Sequence, residues 1–157
     1  MSIVEQSIEV HVPVRTAYDQ WTQFESFPEF MDGVESVNQL TDKRVHWKTR
    51  IAGVSREFDA EITEQTPDQR IAWRSVEGPD QAGAVTFHQV DDGTTGVMLR
   101  LEFDPEGVVE KVGDKLGLVE GRVKGDLERF KEFIESRGRE TGAWRGEIHE
   151  DPGAGTV

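Results

Sequence analysis

Hydrophobic and polar residues alternate along much of the N-terminal two thirds of the chain, as they do in half-buried β-strands. Residues 2–12 alternate in this way, with one slip in the middle. Two later runs, RVHWKTRI at 44–51 and REFDAEIT at 56–63, place apolar residues on one face and mainly charged residues on the other. The pattern therefore predicts an antiparallel sheet with one dry face and one wet face.

A two-residue turn at Gly53-Val54 can join these two runs into a hairpin, because glycine suits the first position of such a turn. Counting outward from this turn predicts the register of both faces. The predicted wet-face pairs are Arg50–Glu57, Lys48–Asp59 and His46–Glu61, and the dry-face pairs are Thr49–Phe58, Trp47–Ala60 and Val45–Ile62. The next turn, at Pro67-Asp68, then places Ile62 opposite Trp73 and Glu61 opposite Arg74.

Two further strands, AVTFHQV and VMLRLEF, are joined through DDGTT, and their register decides which way His88 points. A two-residue turn at Asp92-Gly93 pairs His88 with Val97 and places the histidine on the dry face. A three-residue loop instead pairs Phe87 with Leu99. We favour the longer loop because it buries the phenylalanine beside a leucine.

Helical spacing appears twice. After Pro13, VRTAYDQWTQF carries apolar residues three and four positions apart, and FPEFMDGV predicts a second short helical piece with Pro28 in its first turn. Near the C-terminus an apolar stripe predicts a helix over residues 112–134, about 35 Å long at 1.5 Å per residue, ending at Gly138. The stripe consists of Val112, Leu116, Val119, Val123, Leu127, Phe130 and Ile134.

Composition narrows the class of protein. A chain of 157 residues suits one domain, and the sequence has neither an apolar run of membrane-spanning length nor a signal-peptide pattern, so we expect a cytoplasmic protein. The absence of cysteine excludes disulfides, thiolate metal sites and a cysteine nucleophile. A net charge of −13 speaks against partners such as nucleic acid and anionic membranes.

Residues suited to catalysis or metal binding are sparse, and we expect no metal and no cofactor. The four histidines, at positions 11, 46, 88 and 149, lack any ligand spacing, and only His88 has a possible inward orientation. The alternation pattern places the carboxylates of Glu57, Asp59 and Glu61 on the wet face. Candidate polar groups on the dry side are Thr49, Arg56, Ser75 and Glu77, with Tyr18 from the first helix. None forms an acid–base pair by spacing.

The order of elements is one strand, two short helices, a run of antiparallel strands and one long C-terminal helix. It resembles the helix-grip fold of the START-like (SRPBCC) superfamily, and within it the polyketide cyclase/dehydrase and coenzyme Q-binding-protein group. The likeness is carried by FESFPEFMDGVESV, by WKTRIAGVSREFDAEITEQTPDQRIAWRS and by GDLERFKEF, and it covers residues 2–137.

This resemblance implies an α+β fold in which a curved antiparallel sheet of about six to seven strands wraps the long helix and leaves an apolar cavity. We expect a ligand-binding domain at 1–137 and a partly disordered extension at 138–157, with little to bury beyond Trp144. The oligomeric state stays open.

The resemblance also implies that the cavity binds or carries a lipid, a quinone, a polyketide-like compound or another small hydrophobic molecule. The alternative is a polyketide cyclase/dehydrase-type enzyme acting on an aromatic polyketide intermediate. We favour binding because no acid–base pair is evident, and we leave catalysis open. The expected cavity residues are Tyr18, Trp21, Phe24, Phe27, Phe30, Met31, Trp47, Thr49, Phe58, Ile62, Trp73, Ser75, Phe87, Leu99, Leu116 and Val123.

Four glycines, Gly113, Gly117, Gly121 and Gly125, recur at every fourth position in the first half of the long helix. Each costs a helix about 1 kcal/mol relative to alanine. Such a stripe of glycines has three possible consequences: close backbone contact, empty volume beside the helix, or a looser first half of the helix. Alternatively, residues 107–121 form a separate broken helix or a mobile lid. Our hypothesis is that the glycine half is the gate for a ligand.

Overall fold

The computed structural model describes residues 2–51, 54–76, 81–103 and 115–149. One layer is a β-sheet and the other consists of helices that lie on its concave face. In chain order the elements are β1 (Ser2–Val10), α1 (Val14–Trp21), a 3₁₀ helix (Phe24–Glu29), β2 (Val34–Gln39), β3 (Arg44–Ile51), β4 (Val54–Thr66), β5 (Arg70–Ser75), β6 (Gln81–Asp91), β7 (Thr94–Phe103), α2 (Lys115–Arg137) and β8 (Ile148–His149).

The sheet is antiparallel throughout, and its strand order is β1-β7-β6-β5-β4-β3-β2. It curls around α2 as a half-barrel. The short strand β8 pairs with the C-terminal end of β4, beyond the residues of β4 that pair with β3. The predicted helix-grip architecture, with two short helices after the first strand and one long helix near the C-terminus, is confirmed.

The faces of the β3–β4 hairpin are as predicted, but its register is wrong by two residues. Trp47 lies opposite Phe58 rather than Ala60, and Lys48 lies opposite Glu57 rather than Asp59. Pairing continues out to Ile51 and Val54, whereas the prediction placed Val54 in the turn. The remaining observed pairs are Arg44–Glu61, Val45–Ala60, His46–Asp59, Thr49–Arg56 and Arg50–Ser55. A shift of two keeps every side chain on its face, which is why alternation alone did not detect it.

The register of β4 with β5 is as predicted, with Ile62 opposite Trp73 and Glu61 opposite Arg74. In the turn between these strands Asp68 has a positive φ of 63°, a conformation that aspartate tolerates better than most residues.

The β6–β7 hairpin combines parts of both predicted alternatives. Strand pairing closes at Asp91 opposite Thr94, so the two-residue turn at Asp92-Gly93 is present. An irregularity between Gln89 and Asp91 then shifts the register by one residue. His88 therefore lies opposite Gly96 on the wet face, and neither predicted pairing, His88 with Val97 or Phe87 with Leu99, is correct.

Helix α2 carries the predicted apolar stripe into the core. Its buried side chains are Val119, Val123, Leu127, Phe130 and Ile134. The helix ends as predicted at Gly138, whose φ of 74° suits glycine and whose N–H donates to the Ile134 carbonyl at 2.9 Å. The predicted start at Val112 lies outside the described residues.

Candidate ligand-binding site

A cavity of about 130 Å³ lies between the sheet and the first half of α2. Strands β3 to β7 contribute its floor, the loop before β2 contributes one side, and α2 contributes its roof. The lining residues are Met31, Gly33, Val34, Trp47, Thr49, Phe58, Trp73, Gln81, Leu99, Leu101, Val119, Arg122, Val123 and Asp126. Most of this surface is apolar, and the polar groups are few, as is usual for sites that bind small molecules.

Three rings from adjacent strands, Trp47, Phe58 and Trp73, form what we call the aromatic wall. The Trp47 and Phe58 centroids are 6.1 Å apart at an interplanar angle of 5°, and the Trp47 and Trp73 centroids are 6.4 Å apart at 26°. Trp73 lies across β6 because its neighbour there is Gly83, where an added Cβ would stand 2.5 Å from the indole Cζ2. All three rings line the cavity, so an aromatic guest meets aromatic partners there.

The polar end of the cavity is formed by Arg122 and Asp126, which are one turn apart on α2. The Asp32 backbone N–H donates to Asp126 Oδ1 at 3.0 Å, and Arg129 Nη2 donates to the same oxygen at 2.5 Å. Arg122 Nη1 lies 3.5 Å from Asp32 Oδ2, and Arg122 Nε is buried with no hydrogen-bond partner in the described part of the chain. This network ties α2 to the loop before β2 and leaves a guanidinium donor unused.

Burial raises the pKa of the Asp126 carboxyl, and this effect outweighs the hydrogen bonds from Arg129 and Asp32 that lower it. The side chain is 14% exposed, so the group is close to water at the cavity wall but largely desolvated. Asp126 therefore binds a proton more readily than an ordinary aspartate does.

The FESFPEFM segment mainly fills the core. Trp21, Phe27, Phe30 and Phe130 form an aromatic cluster in which the closest ring centroids are 5.2–5.9 Å apart, and all four side chains are at most 1% exposed. Of the segment's apolar residues, only Met31 reaches the cavity. The segment plugs one end of the space beneath the sheet and lines the cavity at a single position.

The predicted cavity residues divide between two places. Those that line the cavity are Met31, Trp47, Thr49, Phe58, Trp73, Leu99 and Val123. Those that do not are Tyr18, Trp21, Phe24, Phe27, Phe30, Ile62, Ser75 and Phe87. Most of these lie where α1 and the 3₁₀ helix cover the sheet, whereas Ser75 Oγ accepts a hydrogen bond from the Gln81 N–H at 3.1 Å. A separate void of about 10 Å³ near Phe24 and Ile62 is barely large enough for one water molecule. The Leu116 side chain lies outside the described residues.

The predicted polar candidates largely lie elsewhere. Tyr18 is fully buried, edge-on to Phe87 at 5.5 Å, and burial raises the pKa of its hydroxyl to about 12. His88 is exposed on the wet face, with its ring over Gly96. Arg56 does not line the cavity, and Glu77 lies outside the described residues. Of the predicted polar residues that the structure describes, only Thr49 lines the cavity.

Sequence reasoning missed seven lining residues: Gly33, Val34, Gln81, Leu101, Val119, Arg122 and Asp126. For one of them, Asp126, the sequence did contain a signal. Asp126 lies three residues after Val123 and next to Leu127, so a carboxylate stands beside the apolar stripe of α2. A charge at that position indicates either a solvated edge or a polar site within the core.

Two of the predicted glycines can be placed. Gly121 is exposed, and an added Cβ there meets nothing within 4 Å, while at Gly125 it would lie 3.1 Å from Arg129 Nη1. Neither borders the cavity. Because α2 runs without a break from Lys115, a separately broken helix through 115–121 is excluded. Gly113 lies outside the described residues, and the gate stays a hypothesis.

Residues 138–149, which we call the strap, dock on the domain away from the cavity. Arg145 binds the buried Asp19 at 2.5 Å and Asp68 at 2.9 Å, and the Trp144 N–H donates to Thr22 Oγ1 at 3.1 Å. Ile148 is also buried, so the segment buries more than the expected little beyond Trp144. Residues 150–157 lie outside the described residues, so the expected disorder of that part stays a prediction.

Within the described ranges, no group of histidine, aspartate and glutamate side chains is arranged to hold a metal ion. Among the helices of those ranges, none has an apolar stretch long enough to cross a bilayer.

Comparison with known proteins gives consistent matches. A family model described as polyketide cyclase/dehydrase and lipid transport matches residues 10–132. An uncharacterized 17.2 kDa protein of Streptomyces lincolnensis is 64% identical over 149 residues, which cover 94% of this chain and 99% of that protein. Two solved structures share the fold: the Zhui aromatase/cyclase from a Streptomyces species (19% identity, TM-score 0.74, 91% of this chain and 99% of that chain) and a START superfamily protein from Mycobacterium smegmatis (15%, 0.68, 86% and 95%).

Proposed function

The chain belongs to the polyketide cyclase/dehydrase and lipid transport family and has a START-like fold, and on that premise we propose that it binds or carries a small hydrophobic molecule. The molecule would occupy the cavity between the sheet and the first half of α2. The observation that carries this proposal is the cavity lining, in which the aromatic wall and aliphatic side chains outnumber four polar side chains, those of Thr49, Gln81, Arg122 and Asp126. The expected cytoplasmic location is part of the same proposal.

The cavity lining favours binding over catalysis. Among the described residues that line the cavity, Asp126 is the only carboxylate and there is no histidine. Its Oδ1 already accepts two hydrogen bonds, so the carboxylate serves the packing of α2 against the loop before β2. An apolar guest gains about 25 cal/mol for each Å² of its surface removed from water, and this gain requires no reacting group.

The experiment is native mass spectrometry of freshly purified protein, followed by solvent extraction of the same sample. We expect an additional mass that is lost on extraction and recovered in the organic phase as an apolar compound. The matched variants are Val123→Phe, which fills the cavity, and Val90→Phe, which adds the same ring at a side chain that is 46% exposed outside it.

The additional mass should be absent from Val123→Phe and present in Val90→Phe. An additional mass that persists in Val123→Phe would place the molecule elsewhere and contradict the proposal.

A second candidate function is catalysis of the polyketide cyclase/dehydrase type on an aromatic polyketide intermediate. One observation favours it: Asp126, whose carboxyl pKa is raised by burial, lies beside Arg122 at the cavity. A carboxylate of this kind can accept a proton from carbon between two carbonyl groups, and a guanidinium can offset the charge of the resulting enolate.

The second candidate is tested with a polyketide mimic. Asp126→Asn should abolish turnover while the mimic still binds, and His88→Ala should leave turnover unchanged because His88 lies on the wet face. Turnover that survives Asp126→Asn would exclude this role for the carboxylate.

A further inference from the structure

We infer that the ligand of this cavity is a single-ring-sized apolar molecule that carries one hydroxyl group, such as a substituted phenol. This inference rests on the proposed function, since it names the class of molecule that the same cavity binds. It depends on three independent properties of the cavity: its volume, its aromatic wall and the hydrogen-bonding capacity of its polar end.

The volume sets the size of the guest. The cavity measures about 130 Å³, whereas an engineered protein cavity of about 150 Å³ binds benzene and typical drug-sized ligands need about 300 Å³ or more. A single ring with a short substituent therefore fills the space. A long acyl chain or a multi-ring compound does not fit within it.

The aromatic wall sets the shape of the guest. Trp47 and Phe58 lie almost parallel on neighbouring strands, Trp73 is tilted by 26° from Trp47, and all three line the cavity. A planar ring gains offset-stacked or edge-to-face contacts with such side chains, whereas a flexible chain loses conformational entropy there without gaining an aromatic pair contact. Opposite the wall, Val119 and Val123 of α2 present small side chains that leave room for one ring.

The polar end sets the functional group. Among the residues that the structure describes, Arg122 Nε has no hydrogen-bond partner, so the guanidinium has donor capacity for an oxygen. Within the described residues, both hydrogen bonds to the Asp126 carboxylate go to Oδ1, which leaves Oδ2 as an acceptor. A hydroxyl group is the simplest group that donates to a carboxylate and accepts from a guanidinium at once.

Charge balance disfavours an anionic head group. Arg122 and Arg129 already face two carboxylates, Asp32 and Asp126, within the same network. A carboxylate on the ligand would add a third negative charge in a partly buried place and could not donate to Asp126. The polar end therefore selects a hydroxyl group over a fatty-acid carboxylate.

The test is calorimetric titration of the full-length protein with three probes: 4-ethylphenol, ethylbenzene and laurate. We expect 4-ethylphenol to bind at least tenfold more tightly than ethylbenzene, because the two differ only in the hydroxyl group, and we expect no binding of laurate. Asp126→Asn and Arg122→Met should each reduce the preference for 4-ethylphenol over ethylbenzene. Glu120→Ala and Lys124→Met, at exposed positions of the same helix, should preserve it.

The possible failures are distinguishable. If laurate binds more tightly than 4-ethylphenol, or if the phenol binds no better than ethylbenzene, the inferred ligand class is wrong while the proposed binding function stands. If none of the three probes binds, both the ligand class and the proposed function are contradicted. The comparison of the two single-ring probes uses the unaltered protein, so it holds even where a variant fails to fold.

Discussion

The space between the sheet and α2 is filled at one end and open at the other, although aromatic rings dominate both ends. At the filled end the rings of the aromatic cluster come from α1, the 3₁₀ helix and its end, and α2, and they meet at steep angles. At the open end the rings of the aromatic wall all come from one face of the sheet and meet at shallow angles, 5° for Trp47 with Phe58 and 26° for Trp47 with Trp73.

The residues of α2 explain the difference. Its second half presents Leu127, Phe130 and Ile134 to the filled end. Among the described apolar side chains of its first half, Val119 and Val123 line the cavity, beside the polar Arg122 and Asp126. Rings that approach from several elements interlock, but rings on one sheet face need large partners from the opposite layer. Within the described residues, the smaller apolar side chains of α2 therefore face the cavity and the larger ones face the filled end.

The largest expected change in the free energy of unfolding comes from a substitution at the filled end. Phe130→Ala should lower the free energy of unfolding by about 4 kcal/mol, because it removes a ring that contacts Trp21 and Phe30 in a packed core. Val123→Ala, at the open end, should cost about 1–2 kcal/mol, since fewer buried carbon atoms are lost than with a phenyl ring. Urea denaturation of both variants measures the difference, and equal costs would show that the two ends are packed alike.

The strap is attached near the filled end, and cutting its ion pair should have the next largest effect. Arg145→Ala leaves the Asp19 carboxylate, which is 2% exposed, without its close partner and should cost about 3 kcal/mol. Adding Asp19→Asn should recover part of this loss because no buried charge then remains. A cost in Arg145→Ala within about 0.5 kcal/mol of zero would show that the strap does not stabilise the domain.

At the open end, the glycines make the first half of α2 less stable than alanines would. Gly121→Ala should raise the free energy of unfolding by about 1 kcal/mol, because the position is exposed and a methyl group meets no neighbour. If the glycine half of α2 is the gate, stopped-flow mixing should also show slower ligand uptake. Greater stability with unchanged uptake would reject the gate hypothesis.

The smallest expected effect is on the wet face, away from both ends. His46 contacts Asp59 at 2.6 Å and Glu57 at 3.0 Å, and these hydrogen bonds raise its pKa above its ordinary value of 6.5. Protonated His46 therefore stabilises the fold fully below about pH 6.5, and this contribution is lost as the pH rises through the folded pKa. His46→Gln should flatten the fall in stability above pH 6.5; an unchanged pH profile would contradict the assignment.

Alternation predicted which face of each strand is buried, and the spacing of apolar residues predicted α2 and its end at Gly138. Alternation could not establish the β3–β4 register, because a two-residue shift preserves both the buried face and nearly all the opposite-charge pairs. The irregularity near Val90 likewise has no marker in the local sequence.

The candidate site was predictable only in part. The alternation along the strands correctly placed Trp47, Phe58 and Trp73 on the inner face of the sheet. Alternation does not show which part of that face the helices cover. The separation of cavity from core depends on the path of α1 and the 3₁₀ helix, which is a tertiary property. Arg122 and Asp126 belong to the site because the loop before β2 reaches α2, a contact between residues far apart in the sequence.

The central claim is that an apolar guest enters the open end and not the filled end. The most direct measurement is methyl NMR of the protein titrated with benzene, because the ring current shifts nearby methyl groups. We predict shifts at Leu99, Leu101, Val119 and Val123, which line the cavity, and none at Leu127 or Ile134, which pack in the filled end. Shifts confined to the filled end or to the wet face, or no shifts at saturating benzene, would contradict the account.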